Sequence, residues 1–135
     1  MDAKVLELRI PADTRFVAVV RRGVRNLAES VGFTGEDVSD MELAVSEAVT
    51  NSVEHGTPDG ECGVVVKCHA SRECVVVEVE DRSSADAFPA CPPAPGPAGE
   101  RGRGVLMMHR LMDECEGTRT ETGTKVRMAK QKCRV

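Results

Sequence analysis

Five of the chain's seven prolines fall between Pro89 and Pro97, with alanine, cysteine and glycine between them. Proline carries no backbone N–H and locks φ, so this stretch can be neither a helix interior nor a central strand. Residues 83–101 therefore read as one long loop, and a loop of that length inside a compact domain is usually functional or mobile. The whole chain, 135 residues, is one domain's worth and long enough to bury a sizeable core. A single domain over 1–135, with this loop set before its last elements, is the expected organisation.

The segments on either side carry regular patterns. KVLELRI alternates Leu6, Leu8 and Ile10 on one side, the period-2 sign of a half-buried strand, and Pro11 ends it. Asp13 can cap a helix whose stripe is Phe16, Val19, Val20, Val24 and Leu27, stopped at Gly32. Thr34 with Asp37 resembles a capping box. The helix it opens turns Val38, Met41, Val45, Ala48, Val49 and Ser52 inward, before Gly56, Pro58 and Gly60. Residues 62–69 and 74–81 form a hairpin pattern. After the Pro-rich loop come a helix at about 104–113 and a last strand at 124–130, with Met107, Met108, Leu111 and Met112 read as core. The order β-α-α-β-β-loop-α-β predicts a two-layer α/β sandwich: a mixed, mostly antiparallel sheet with the helices on one face.

Composition removes several classes of function. There are three Phe and no Tyr or Trp, so stacking platforms for single-stranded nucleic acid are missing. A net charge of -4 argues against a phosphate-backbone footprint. No run is long and apolar enough for a membrane span, and the first residues lack a signal-peptide core. Six cysteines stand at 62, 68, 74, 91, 115 and 133 without a zinc-type spacing. Cys68 and Cys74 could meet across the hairpin, beside His69. The preferred reading is small, reduced, apolar side chains in a cytoplasmic protein.

Four short segments carry candidate chemistry. In ELAVSEAVTNSVEHG, Glu47 and Asn51 are four residues apart and share a helix face that His55 continues. Spacing alone fits an exposed polar face. It also fits a carboxylate that orients a hydroxyl and an amide oxygen that ligates Mg²⁺. Asp81 ends an apolar strand, where it can form a turn or accept a hydrogen bond from an exocyclic amine. Arg101, Gly102 and Gly104 precede a helix, where backbone N–H groups can approach a phosphate. Neither a dinucleotide-fold glycine pattern nor a Walker sequence is complete there. Thr124 sits in TGTKV, a turn feeding the last strand.

Taken in order, these segments resemble the boxes of the histidine-kinase-like ATPase superfamily: ELAVSEAVTNSVEHG the N box, VEDRS and GRGVLMMHRLMDE the two glycine boxes, TGTKV the last. Glu four residues before Asn in the N box resembles the bacterial anti-sigma-factor serine kinases of the RsbW/SpoIIAB type. The resemblance spans almost the whole chain and implies the Bergerat-type ATPase fold. It also implies ATP and Mg²⁺, with Asn51 as the metal ligand and Glu47 as general base toward a serine hydroxyl. Asp81 would accept the adenine amino group and Thr124 would lie near adenine. Gly102 and Gly104 would approach the phosphates, with Arg101 at the γ-phosphate and His55 nearby. The Pro-rich 83–101 segment would be the ATP lid. The implied partners are a STAS-domain anti-anti-sigma protein and a sigma factor, with a homodimer left open, and neither nucleic acid nor membrane.

One position departs from the pattern. Ser83 stands where the first glycine box has glycine. If that position needs φ > 0, serine costs on the order of 1 kcal/mol. The departure motivates a second reading: a non-catalytic anti-sigma or regulatory binding module with weak or no ATP binding.

Overall fold

The computed structural model of the chain describes residues 3–55, 63–81, 100–119 and 123–132. Five strands and three helices appear in the order β1 (Lys4–Ile10), α1 (Val17–Ser30), α2 (Gly35–His55), β2 (Val64–Ala70), β3 (Cys74–Asp81), α3 (Glu100–Leu111), β4 (Glu114–Arg119) and β5 (Thr124–Gln131). The strands form one sheet in the order β1-β2-β3-β5-β4. All four pairings are antiparallel, so among the described residues the sheet has no parallel member.

Strand alternation decides which face the helices cover. In β2 the buried residues are Val64, Val66, Cys68 and Ala70, and in β3 they are Val75, Val77, Val79 and Asp81. Register continues these rows into β5 as Val79 opposite Val126 and Val77 opposite Met128. The helices answer with Val20, Val24 and Ala28 from α1, with Met41, Val45, Ala48 and Val49 from α2, and with Met108 from α3, all in one core. Each such valine or methionine contributes about 1.5–3 kcal/mol when fully buried. The other sheet face carries charge instead: Glu7 meets Lys67 at 4.0 Å, Glu78 meets Lys125 at 3.0 Å and Glu114 meets Arg127 at 3.9 Å. These pairs are solvated and add little stability singly.

Local chemistry sets the helix ends. The Asp13 carboxylate accepts from the Arg15 N–H at 2.9 Å and caps a short 3-10 turn, Thr14–Phe16, that leads into α1. At its other end, the Gly32 N–H donates to the Glu29 carbonyl and the Phe33 N–H to the Ala28 carbonyl. This is a Schellman cap, and it needs a left-handed residue at Gly32, whose φ is +98°. Gly23 lets α1 lie close on β1, since a Cβ there would stand 3.1 Å from Leu6 Cδ2.

Four expectations change. Val19 is 52% exposed, because the α1 stripe centres on Val20, Val24 and Ala28. β4 is absent from the expected strands: ECEGTR has no apolar alternation, and as an edge strand bonded to β5 it needs little. α3 starts at Glu100, four residues early, so Glu100 and Arg101 belong to the helix and not to the preceding loop. Both are good helix formers, and glycine is cheap in a first turn whose N–H groups have no helical partner. Cys68 and Cys74 do not face each other. Cys68 points at the helices opposite Val77, while Cys74 pairs with Gln131 on β5. Cys68, Cys74 and Cys115 are free thiols. Cys62, Cys91, Cys133, Ser83 and the Pro-rich segment through residue 99 lie outside the described residues.

Candidate functional site

Two buried polar residues interrupt the apolar sheet. Asp81, the last residue of β3, is register partner of Thr124, the first of β5. Both lie on the helix-facing side, 7% and 5% exposed. The next rung is Val79 opposite Val126, both buried. A carboxylate and a hydroxyl thus sit side by side above an aliphatic floor. Thr124 Oγ1 is shielded from solvent and meets no hydrogen-bond partner among the described residues. A hydroxyl left in that state costs about 1–3 kcal/mol, which a ligand's polar edge would relieve.

α2 supplies the second group. Its inward face, Val45, Ala48, Val49 and Ser52, is buried, and Glu47 and Asn51 lie on a half-buried flank one turn apart. Asn51 Nδ2 is likewise shielded and meets no partner among the described residues. The two ends of an amide are nearly isosteric, so a half-turn of the side chain presents Oδ1, an oxygen suited to a hard cation, at the same place. His55 closes α2, and its side chain lies outside the described residues.

A cross-link at the far end orients these pieces. The Lys130 ammonium on β5 donates to Asp40 Oδ2 on α2 at 3.2 Å and to the Leu111 carbonyl at the end of α3 at 2.7 Å. Thr124 lies about 20 Å back along β5 from Lys130. Asn51 lies about 16 Å along α2 from Asp40, and Gly102 and Gly104 about 10–14 Å back along α3 from Leu111. The polar pair, the Glu47–Asn51 flank and the N-terminal turn of α3 each therefore lie well away from Lys130, measured along their own elements. Gly102 falls among the first four α3 residues, whose N–H groups have no helical acceptor and whose dipole favours an anion. The side chains of residues 100–105 lie outside the described residues. Buried polar atoms, a possible cation oxygen and a helix N-terminus fit a nucleotide with its metal.

Among the described residues, Cys68 and Cys115 bring no reactive thiolate. Burial pushes the Cys68 thiol up to about 12 and the Cys115 thiol up to about 11. Neither is a nucleophile at neutral pH. Among the described residues no group of three or more His, Cys, Asp and Glu is placed to hold a metal. No described helix is long and apolar enough to cross a membrane.

Lys130 itself was legible only as part of the strand TKVRMAK. Its signal is register, since Thr124, Val126, Met128 and Lys130 share the helix-facing side.

Comparison with known proteins places the fold in a family. The histidine kinase-like ATPase domain family matches residues 10–130. A serine-protein kinase RsbW of Bacillus velezensis is 32% identical over 135 aligned residues, covering 93% of this chain and 84% of that protein. The Bacillus subtilis serine-protein kinase RsbW is 30% identical, covering 96% of this chain and 86% of that protein. A crystal structure of the RsbU and RsbW domains of a Mycobacterium tuberculosis protein superposes with a TM-score of 0.73 at 24% identity. It covers 96% of this chain and 33% of that one, and shows the shared fold. The chain belongs to the histidine kinase-like ATPase family and, within it, to the serine-protein kinases of the RsbW type.

Proposed function

We propose that this protein is an anti-sigma factor and ATP-dependent serine kinase of a cytoplasmic partner switch, phosphorylating a STAS-domain anti-anti-sigma protein. The observation that carries the reading is the buried Asp81–Thr124 register pair that ends the apolar ladder of β3 and β5. With no Trp or Tyr in the chain, adenine is read by hydrogen bonds. Asp81 accepts from its amino group, Thr124 lends its hydroxyl, and Val79 and Val126 offer aliphatic surface. Gly102 and Gly104 admit the phosphates to the α3 N-terminus, and Arg101 meets the γ-phosphate, with His55 nearby. Asn51 would hold Mg²⁺ through its amide oxygen. The ion, when bound, neutralises phosphate charge.

Glu47, one turn before Asn51, faces the incoming serine hydroxyl. Its carboxylate takes the hydroxyl proton as serine Oγ bonds to the γ-phosphorus, and the bond to the β-phosphate oxygen breaks to release ADP. The new phosphoserine adds nearly two negative charges to the partner, enough to eject it from an interface built for the neutral hydroxyl. The kinase is then free to hold a sigma factor. A homodimer is compatible with this scheme.

The test is incubation with γ-labelled ATP, Mg²⁺ and the candidate STAS partner. Label on a partner serine, lost in Asn51→Ala, supports the kinase. Tight partner binding without nucleotide binding or label favours the second reading, a non-catalytic binding module, which Ser83 in the first glycine box motivates.

A further inference from the structure

We propose that Lys130 is a positioning residue for the phosphate side of the site, although it stands at the opposite end of the molecule. The proposal rests on the ATP-site reading above. Lys130 is the fourth helix-facing residue of β5, and its side chain is only 12% exposed. A cation so enclosed must be partnered, and its two partners belong to different helices: Asp40 of α2 at 3.2 Å and the Leu111 carbonyl of α3 at 2.7 Å. α2 carries Glu47 and Asn51; α3 carries Gly102 and Gly104 at its other end. One ammonium therefore sets the spacing of the two helices that hold the two halves of the phosphate site.

The same end of α3 is tied to β5 twice more. The Asp113 N–H donates to the Ala129 carbonyl at 2.9 Å, and Asp113 Oδ2 accepts from the Gln131 N–H at 2.6 Å. These two bonds hold the chain after the helix. Lys130 alone, among the described residues, joins the last α3 carbonyl to α2. Met108 of α3 shares the core with Met41, Met112 and Met128, flexible side chains that give slight resistance to a shift. With Lys130 removed, a small rotation about the Leu111–Asp113 end is magnified at the far end of the helix, where the glycines meet the phosphates. A misplacement of about 1 Å there is enough to weaken a preorganised grip. The adenine side is built on β3 and β5 and does not depend on the pose of α3.

The experiment compares ATP with adenosine, each titrated by calorimetry against the full chain. Lys130→Met keeps the length of the side chain and removes its donor. The expected result is ATP affinity down about tenfold with adenosine affinity unchanged, and recovery of ATP binding in Lys130→Arg, which restores a donor. Asp40→Asn keeps the bond to Leu111 and should show a smaller loss, again confined to ATP. It carries the test if Lys130→Met does not fold. Equal weakening of both ligands would mean a merely structural role and overturn the proposal, as would unchanged ATP affinity in a folded variant. A wild-type chain that binds neither ligand would overturn the ATP-site reading, and this proposal with it. A wild type that binds both, with no ATP-selective loss in any variant, would overturn the proposal alone.

Discussion

Asp81 and Thr124 face each other across β3 and β5 as register partners, both buried, at the end of a ladder whose next rungs are Val79–Val126 and Val77–Met128. A sheet built only to be stable would continue those rungs with apolar residues. Two polar side chains there depart from that pattern, and Thr124 Oγ1 meets no hydrogen-bond partner among the described residues.

Asp81→Asn should therefore weaken ATP binding. The substitution keeps shape and replaces a charged acceptor with an amide, and hydrogen bonds to charged groups contribute about 1.5–3 kcal/mol. The expected loss of affinity is about tenfold or more by calorimetric titration. Unchanged affinity would remove Asp81 from the adenine site.

Thr124→Val should separate binding from stability. Valine keeps the volume and deletes Oγ1, which is shielded and meets no partner among the described residues. Relieving about 1 kcal/mol of that penalty should raise Tm by about 3–4 °C in a chain of this size. ATP affinity should fall in the same protein. A variant that loses both stability and affinity would show that the hydroxyl is satisfied within the fold.

Much of this arrangement is visible in the chain itself. The inward stripe of α2, from Val38 to Ser52, and the strands alternating through Val64–Ala70 and Cys74–Asp81 follow from period alone. So do Asp81 and Thr124 as strand-end positions. Their pairing does not, because it depends on β5 entering the sheet between β3 and β4, which local pattern leaves open. β4 was hidden because an edge strand can be polar. The start of α3 was hidden because Gly102 and Gly104 read as loop, although a helix tolerates glycine in its first turn, where Gly102 sits. Lys130 was hidden because a lysine in a strand ordinarily faces water.

Cys68 gives the fold a measurable response to alkali. Burial raises its thiol from 9.0 to about 12. Below pH 9 both folded and unfolded chains hold this proton, and its contribution to stability is whole. Between 9 and 12 the unfolded chain has released it while the folded chain keeps it. Stability should then fall as pH rises, by on the order of 1 kcal/mol per unit. Cys115, raised to about 11, adds to the same slope. Urea titrations from pH 8 to pH 10.5 should show the decline, and a shallower one in Cys68→Ala. An identical slope in that variant would mean that Cys68 does not titrate with unfolding.

Single-turnover phosphoryl transfer from γ-labelled ATP to the candidate STAS-domain substrate, compared between the wild type and Glu47→Ala at saturating nucleotide, tests the kinase assignment most directly. Wild-type protein should label a partner serine. Glu47→Ala should transfer about 10²–10⁴-fold more slowly while binding ATP with near wild-type affinity, the signature of a lost general base. Equal transfer rates in the two proteins would contradict the role given to Glu47, and absence of label from the wild type would contradict the kinase itself.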